Sequence, residues 1–329
     1  MKVCVYGAGA IGMTLAARLT RGGAQVSVVA RGANLAAIRA NGVRMKAPLG
    51  DLAAKVEVSD DAAALRPQDA VMVAVKAPAL PSIANGLKAL IGPQTQVAFV
   101  LNGIPWWYTH GETGRLAGRS LPRLDAGNAM LKTVGVERSI GGVIFGGCDV
   151  VEPGVVHVEN ATMRLILGHP DGRQSETLEA LAAVLRGDDL KVEVSDHIRR
   201  GVWTKLQMVV CSGLIGCLTG QPPKTAYADP GGARIVSSLV EELGAIANAL
   251  GCATGLTPQA VLKGAQQQTH LPSAAQDIES GSPMMEFDTL FAAPLELARM
   301  LDIPAPTLAL LVALTKIRAQ GTGAYPADA

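Results

Sequence analysis

Apolar residues alternate between two periods along this chain, and the change from one to the other divides it. Short apolar runs at Lys2–Tyr6, Ala24–Ala30, Asp69–Val75 and Gln96–Leu101 read as strands, with helical stretches between them. A β-α-β series of this kind predicts a largely parallel sheet covered on both faces. Near Gly141 the pattern changes: 142–150 and 155–158 flank Glu152-Pro153-Gly154, a turn signal that predicts an antiparallel hairpin. Further strands are expected at 162–167 and 190–194, with a helix from about Gln174 to Leu185 between them. From Ser195 onward strand signals stop. Asp196 is placed to cap a helix starting near His197, and helical periods recur near 233–250, 258–269, 287–301 and 306–319. The reading is an α/β chain, with a Rossmann-type, largely parallel sheet domain over residues 1–195 and an all-α domain over 196–329.

The first strand runs into Gly7-Ala8-Gly9-Ala10-Ile11-Gly12 and then into Met13–Leu19, a helix-forming stretch. Strand, G-x-G-x-x-G and helix in that order form the dinucleotide-binding fingerprint. Gly7 suits the tight turn, Gly9 removes the Cβ that would block a pyrophosphate, and Gly12 lets helix and strand approach. The free amides at the helix start face the diphosphate. An NAD site usually carries a carboxylate at the end of the second strand, whereas this chain has Val29-Ala30-Arg31-Gly32 there. Arg31 can pair with a 2′-phosphate, so NADP(H) is the expected cofactor. Lys76 follows the third strand, at the carboxyl end where such sheets bind ligands, and is a candidate for the nucleotide phosphates or ribose.

Composition narrows the rest. The 329 residues are 49% apolar and 17% charged, as in a well-buried globular chain of two domains, and lysine plus arginine exceed aspartate plus glutamate by one. That balance provides no basic field for nucleic acid. The uncharged stretch 206–223 is broken by Ser212, Gly213, Gly216, Thr219 and a proline pair, so it reads as a buried helix and its exit, not a membrane span. A strand starting at residue 2 leaves no room for a signal peptide, and a cytoplasmic location is expected. Five scattered cysteines suit buried thiols, and the five histidines show no metal-ligand spacing, so no metal site is expected.

Two further segments carry candidate chemistry. Lys205 stands at the edge of an apolar helical run, either snorkelling to water or reaching into a cleft to protonate a carbonyl oxygen. In Ser282-Pro283-Met284-Met285-Glu286-Phe287-Asp288, Ser282 is placed to cap a helix with Pro283 at its first position, while Glu286 either favours that helix end or receives a substrate hydroxyl. Pro105-Trp106-Trp107-Tyr108 reads as a packed cap or as a cleft wall.

With these residues in view, the chain resembles the ketopantoate reductases (2-dehydropantoate 2-reductases). The likeness runs from the glycine motif through Val75-Lys76-Ala77, Leu101-Asn102-Gly103, Ile198-Arg199 and Trp203-Thr204-Lys205-Leu206, to Ser273-Ala274-Ala275-Gln276-Asp277-Ile278 and Met285-Glu286-Phe287-Asp288. It implies NADPH-dependent reduction of a 2-oxo acid to a 2-hydroxy acid, foremost 2-dehydropantoate to pantoate, with the active site between the two domains. By resemblance Lys205 is the general acid, Glu286 hydrogen-bonds the substrate, Ser273 helps hold its carboxylate, Asn102 lies near nicotinamide and substrate, and Arg31 recognises the 2′-phosphate. Positions 209 and 213, where the family usually supplies asparagines, hold Val209 and Gly213, with Ser212 beside the second. The alternatives are a related hydroxyacid dehydrogenase with another substrate and a non-catalytic NADP(H)-binding regulator. A small 2-oxo acid is the expected partner, with no nucleic acid and no membrane, and a homodimer through the helical part is suggested.

Overall fold

The structure, a computed structural model, describes residues 1–327. It divides into two compact units, Met1–Val75 with Ala79–Leu101 and Asp125–Ile198, and Lys76–Pro78 with Asn102–Leu124 and Arg199 onward. A single boundary near residue 195 therefore misassigns two segments, Lys76–Pro78 and Asn102–Leu124, which leave the first unit after its strands and belong to the second.

The first unit has strands β1 (Lys2–Tyr6), β2 (Gln25–Val29), β3 (Val43–Lys46), β4 (Leu52–Ala54), β5 (Glu57–Ser59), β6 (Gln68–Val73), β7 (Ile91–Val100), β8 (Ser139–Phe145), β9 (Cys148–Glu152), β10 (Val155–Val158), β11 (Met163–Gly168) and β12 (Leu190–Val194). Its helices are α1 (Ala10–Arg21), α2 (Gly32–Asn41), α3 (Leu80–Leu90), α4 (Ala129–Thr133) and α5 (Glu176–Leu185). Eight strands form one sheet in the order β12-β11-β8-β7-β6-β1-β2-β5. The six from β8 to β5 run parallel, and β11 pairs antiparallel to β8. Val3, Val5, Val28, Met72 and Ala98 from the strands pack with Met13, Leu15 and Leu19 of α1 and Leu178, Leu181 and Leu185 of α5. From β1 the chain builds toward β2 and β5, then returns to build toward β6 and β7, so the strand order reverses beside β1. Ligands bind at the carboxyl ends of strands flanking such a reversal.

A second, four-stranded sheet, β4-β3-β10-β9, contains the predicted hairpin, with β9 and β10 antiparallel. The continuous strand expected over 142–150 is instead two. Gly146 has φ +139, and a Cβ there would stand 2.7 Å from Met163 Cγ, so the chain breaks and changes sheets at this point. Strands β3, β4 and β5 went unpredicted because each has only three or four residues, too few for a period to show.

The second unit is helical: α6 (Ile198–Thr219, which begins on the last residue of the first unit), α7 (Pro223–Ala226), α8 (Pro230–Ala249), α9 (Pro258–Ala265), α10 (Ser273–Ser280), α11 (Ala293–Met300) and α12 (Pro306–Thr322). Proline opens four of them, where its missing N–H costs nothing. Asp229 accepts the amides of Gly231 and Gly232 to cap α8, and Thr257 accepts that of Ala260 to cap α9. At the start of α6 the Ser195 hydroxyl, rather than Asp196, receives the His197 N–H at 3.0 Å. Helix α6 is long and apolar enough to cross a membrane, and 67% of its apolar window is buried inside the protein.

Candidate functional site

The nucleotide end lies in the first unit. Gly7 follows β1 with φ +109, and its N–H bonds the Val29 carbonyl of β2 at 3.0 Å. A Cβ on Gly12 would stand 1.8 Å from the Gly7 carbonyl oxygen, so α1 can lie this close to the turn only as glycine. A Cβ on Gly9 would meet nothing within 4 Å, so the space in front of it is open for a phosphate to reach the α1 amides. The turn is braced by Asn34 of α2, whose Nδ2 donates to the Ala8 carbonyl at 2.8 Å and whose Oδ1 accepts from Gly154 N–H at 3.0 Å. Arg31 precedes α2 with extended backbone and an exposed side chain. It also influences Tyr6, whose phenol is pushed up by burial and drawn back by the guanidinium. This open glycine turn, with the Arg31 cation immediately after β2, could hold a dinucleotide.

The second unit holds the other candidates. Lys205 stands two turns into α6, and the start of that helix is clamped. Arg199 donates to the carbonyls of Tyr108 and His110 at 3.0 and 2.7 Å and pairs with Glu112 at 2.7 Å. Trp203 Nε1 donates to the Tyr108 hydroxyl at 2.6 Å. Trp106, Trp107 and Tyr108 are 4%, 1% and 0% exposed, with the Arg199 guanidinium 5.5 Å from the last two rings. The aromatic segment is therefore packing, and the cleft-wall reading of it fails.

The Lys205 ammonium donates to Asn102 Oδ1 at 2.7 Å, and Asn102 Nδ2 donates to Glu286 Oε2 at 3.1 Å. The other oxygen, Glu286 Oε1, accepts the Ala77 N–H at 3.2 Å. Asn102 reaches Glu286 because Gly103, at φ +79, presses its backbone onto Thr289, where a Cβ would fall 2.5 Å from the carbonyl. The Ile104 N–H then bonds the Thr289 carbonyl at 2.8 Å. Thr289 lies in a π-helical turn, Asp288–Ala292, ahead of α11. Such turns recur at functional sites because the extra residue redirects side chains. The helix expected from Pro283 does not begin there: Ser282 accepts the Met284 and Met285 amides in a turn, and helical structure starts only after Glu286.

Glu286 is 6% exposed, and burial pushes its carboxyl above the usual range against the pull of Asn102, the Ala77 amide and the charges of Lys76 and Lys205. Lys76 also lies in this unit, its ammonium paired with Asp277 Oδ1 of α10. Sequence reading missed Asp277 as a partner, although buried acidic residues need one. Ser273 opens α10, is exposed, and is not hydrogen-bonded to the network. The structure thus brings Lys205, Asn102 and Glu286 together, sets Lys76 on Asp277, and leaves Ser273 outside the bonded chain. Val209 is half-buried, and a Cβ on Gly213 would stand 2.9 Å from Phe291 Cζ. Among the described residues no cluster of three or more His, Cys, Asp or Glu could hold a metal ion.

A lysine ammonium held by an amide, next to a buried carboxyl, can polarise and protonate a carbonyl oxygen. Two family models match the chain: one described as ketopantoate reductase PanE/ApbA matches residues 3–172, and its C-terminal counterpart matches residues 197–319. A 2-dehydropantoate 2-reductase of Mesorhizobium japonicum is 38% identical over 99% of this chain and 100% of its own. Among solved structures, one described as a candidate ketopantoate reductase from Ralstonia solanacearum is 34% identical with TM-score 0.88, covering 98% of this chain and 99% of that one. A 2-dehydropantoate 2-reductase from Geobacter metallireducens is 27% identical with TM-score 0.83, covering 96% and 99%.

Proposed function

The chain belongs to the ketopantoate reductase PanE/ApbA family of NAD(P)-dependent oxidoreductases, and from that premise we propose that it reduces 2-dehydropantoate to pantoate with NADPH, Lys205 being the general acid. The observation that carries the proposal is the bonded series Lys205, Asn102, Glu286. A free lysine on a helix would sample many rotamers; here the Asn102 carbonyl oxygen fixes the ammonium, and Glu286 fixes the amide by accepting from its nitrogen. Donors aimed in advance at a developing alkoxide stabilise it without reorganising during the reaction. The Lys205 ammonium then gives its proton to the carbonyl oxygen and recovers one from water.

The dinucleotide, when bound at the glycine turn, supplies the hydride. Arg31 is assigned to its 2′-phosphate, the turn Gly7, Ala8, Gly9, Ala10, Ile11 and Gly12 to its diphosphate, and Lys76 to the ribose or phosphates. Ser273, at the amino end of α10, is assigned to the substrate carboxylate, which the helix end also favours. Glu286, buried with both oxygens engaged, acts on Asn102 and through it on Lys205.

Steady-state NADPH oxidation with 2-dehydropantoate, beside a panel of 2-oxo acids, tests the proposal. Turnover that Lys205→Ala lowers by about 10²–10⁴ supports it. Turnover unaffected by that change removes Lys205 from the mechanism, and no turnover of any acid favours the non-catalytic regulator.

A further inference from the structure

From Lys205 to Ser212 the helix α6 is buried except at Lys205, Met208, Val209 and Ser212. Those positions, i, i+3, i+4 and i+7, lie on one face, so the surface leading away from the ammonium is a thioether, an isopropyl group and a hydroxyl. The Ser212 hydroxyl donates to the Val209 carbonyl at 3.3 Å, which commits its proton to the helix. At Gly213 a polar side chain is excluded by the ring of Phe291, which is 0% exposed. Glu286 stands nearby in the bonded network, but its two oxygens already accept from Ala77 and Asn102.

We propose that this α6 face receives the carbon chain of the substrate beyond its carbonyl, and that the enzyme also reduces branched, hydroxyl-free 2-oxo acids about as well as 2-dehydropantoate. The proposal rests on Lys205 being the proton donor to the carbonyl. The chemistry balances as before: C2 gains a hydride from NADPH, its oxygen gains the Lys205 proton, and a 2-hydroxy acid and NADP⁺ result. The 4-hydroxyl of 2-dehydropantoate then lies against Met208 and Val209 and contributes little to catalysis.

The decisive comparison is between 2-dehydropantoate and the same acid without its 4-hydroxyl, 3,3-dimethyl-2-oxobutanoate. A site built to bind a hydroxyl rejects the analogue lacking it by about 10⁴–10⁵, whereas an apolar wall gives the hydroxyl no advantage and disfavours it by at most about 10². The expected result is a kcat/KM for the hydroxyl-free acid within about tenfold of that for 2-dehydropantoate, or above it, with Val209→Asn moving the ratio roughly tenfold toward 2-dehydropantoate. A wild-type preference for 2-dehydropantoate beyond about tenfold overturns the proposal and returns the hydroxyl to Glu286, leaving the proposed reaction standing. A folded Val209→Asn protein with an unchanged ratio overturns the role of the α6 face. Should that variant not fold, the wild-type ratio decides alone. Absence of turnover with both acids overturns the proposed reaction itself, and this inference with it.

Discussion

Asn102 takes the Lys205 ammonium on its side-chain oxygen at 2.7 Å, leaving its nitrogen to bond Glu286. The amide thus has one usable orientation, and that orientation aims the lysine. Asn102→Ala is expected to lower kcat by about 10²-fold, with a smaller change in the KM for the 2-oxo acid. Asn102→Asp is expected to fall further at neutral pH, because a second carboxylate then faces Glu286, and to recover partly on acidification. Steady-state kinetics of both variants across pH measure the difference.

Glu286 is expected to give the reaction an acidic limb. Burial raises its carboxyl above the usual glutamate range, so protonation, which removes one of its two acceptor oxygens from Asn102 or Ala77, begins at a higher pH than for an exposed glutamate. In wild type kcat is expected to decline as pH falls through that raised value. Glu286→Gln places a donor against a donor, lowering kcat by roughly 10–100-fold and flattening that limb. A wild-type profile flat down to the ordinary glutamate value would remove Glu286 from control of the rate.

The two glycines of the turn separate binding from folding. Gly12→Ala drives a Cβ into the Gly7 carbonyl and is expected to destabilise the protein by about 3 kcal/mol, read as a lower melting temperature. Gly9→Ala has open space around it, so stability should stay within about 1 kcal/mol of wild type while NADPH affinity falls about tenfold or more, read by fluorescence titration.

Arg31 is expected to separate the two nicotinamide cofactors. Arg31→Ala is expected to raise the KM for NADPH by about 10–100-fold and leave that for NADH nearly unchanged, since a bidentate guanidinium contact is lost only where a 2′-phosphate is present.

Stability against acid is expected to depend on a buried pair in the first unit. Arg18 of α1, 0% exposed, donates to Asp189 at 2.8 Å, and Arg21 donates to the same carboxylate at 2.6 Å. Burial alone raises the Asp189 carboxyl, but Arg21 and Arg18 outweigh it and hold it below the usual value. The stabilisation is therefore complete above the ordinary carboxylate range and is lost as pH falls through the depressed folded value. Asp189→Asn leaves Arg18 buried without its counter-charge, a cost of about 3–5 kcal/mol at neutral pH. Denaturant melts should show that gap closing below about pH 4.

Features encoded locally were legible in the sequence. The glycine turn, each of the main strands and the helical setting of Lys205 are written in short consecutive stretches, where periodicity and motif operate. Partnerships made by the fold were not. Nothing near Lys76 indicates Asp277, 201 positions away, and nothing near the glycine turn indicates that Asn34 braces it. The π-turn after Glu286 was hidden because Ser282-Pro283 carries a good helix-start signal that tertiary contacts of Gly103 with Thr289 override. The aromatic segment could not be assigned to cap or cleft until Arg199 and Trp203 were seen to bury it.

The second unit is discontinuous in the chain: Lys76–Pro78 and Asn102–Leu124 belong to it, although each emerges from a strand of the first. Lys205 and the Asn102 amide that accepts from its ammonium are consequently inherited on different parts of the gene. Exchange of helical regions between relatives at a junction near residue 198 would carry Lys205 and Glu286 into a new host while leaving Asn102 behind. Divergence in this architecture must therefore keep two separated stretches of sequence in step, and chimaeras joined at that point should fold more often than they turn over.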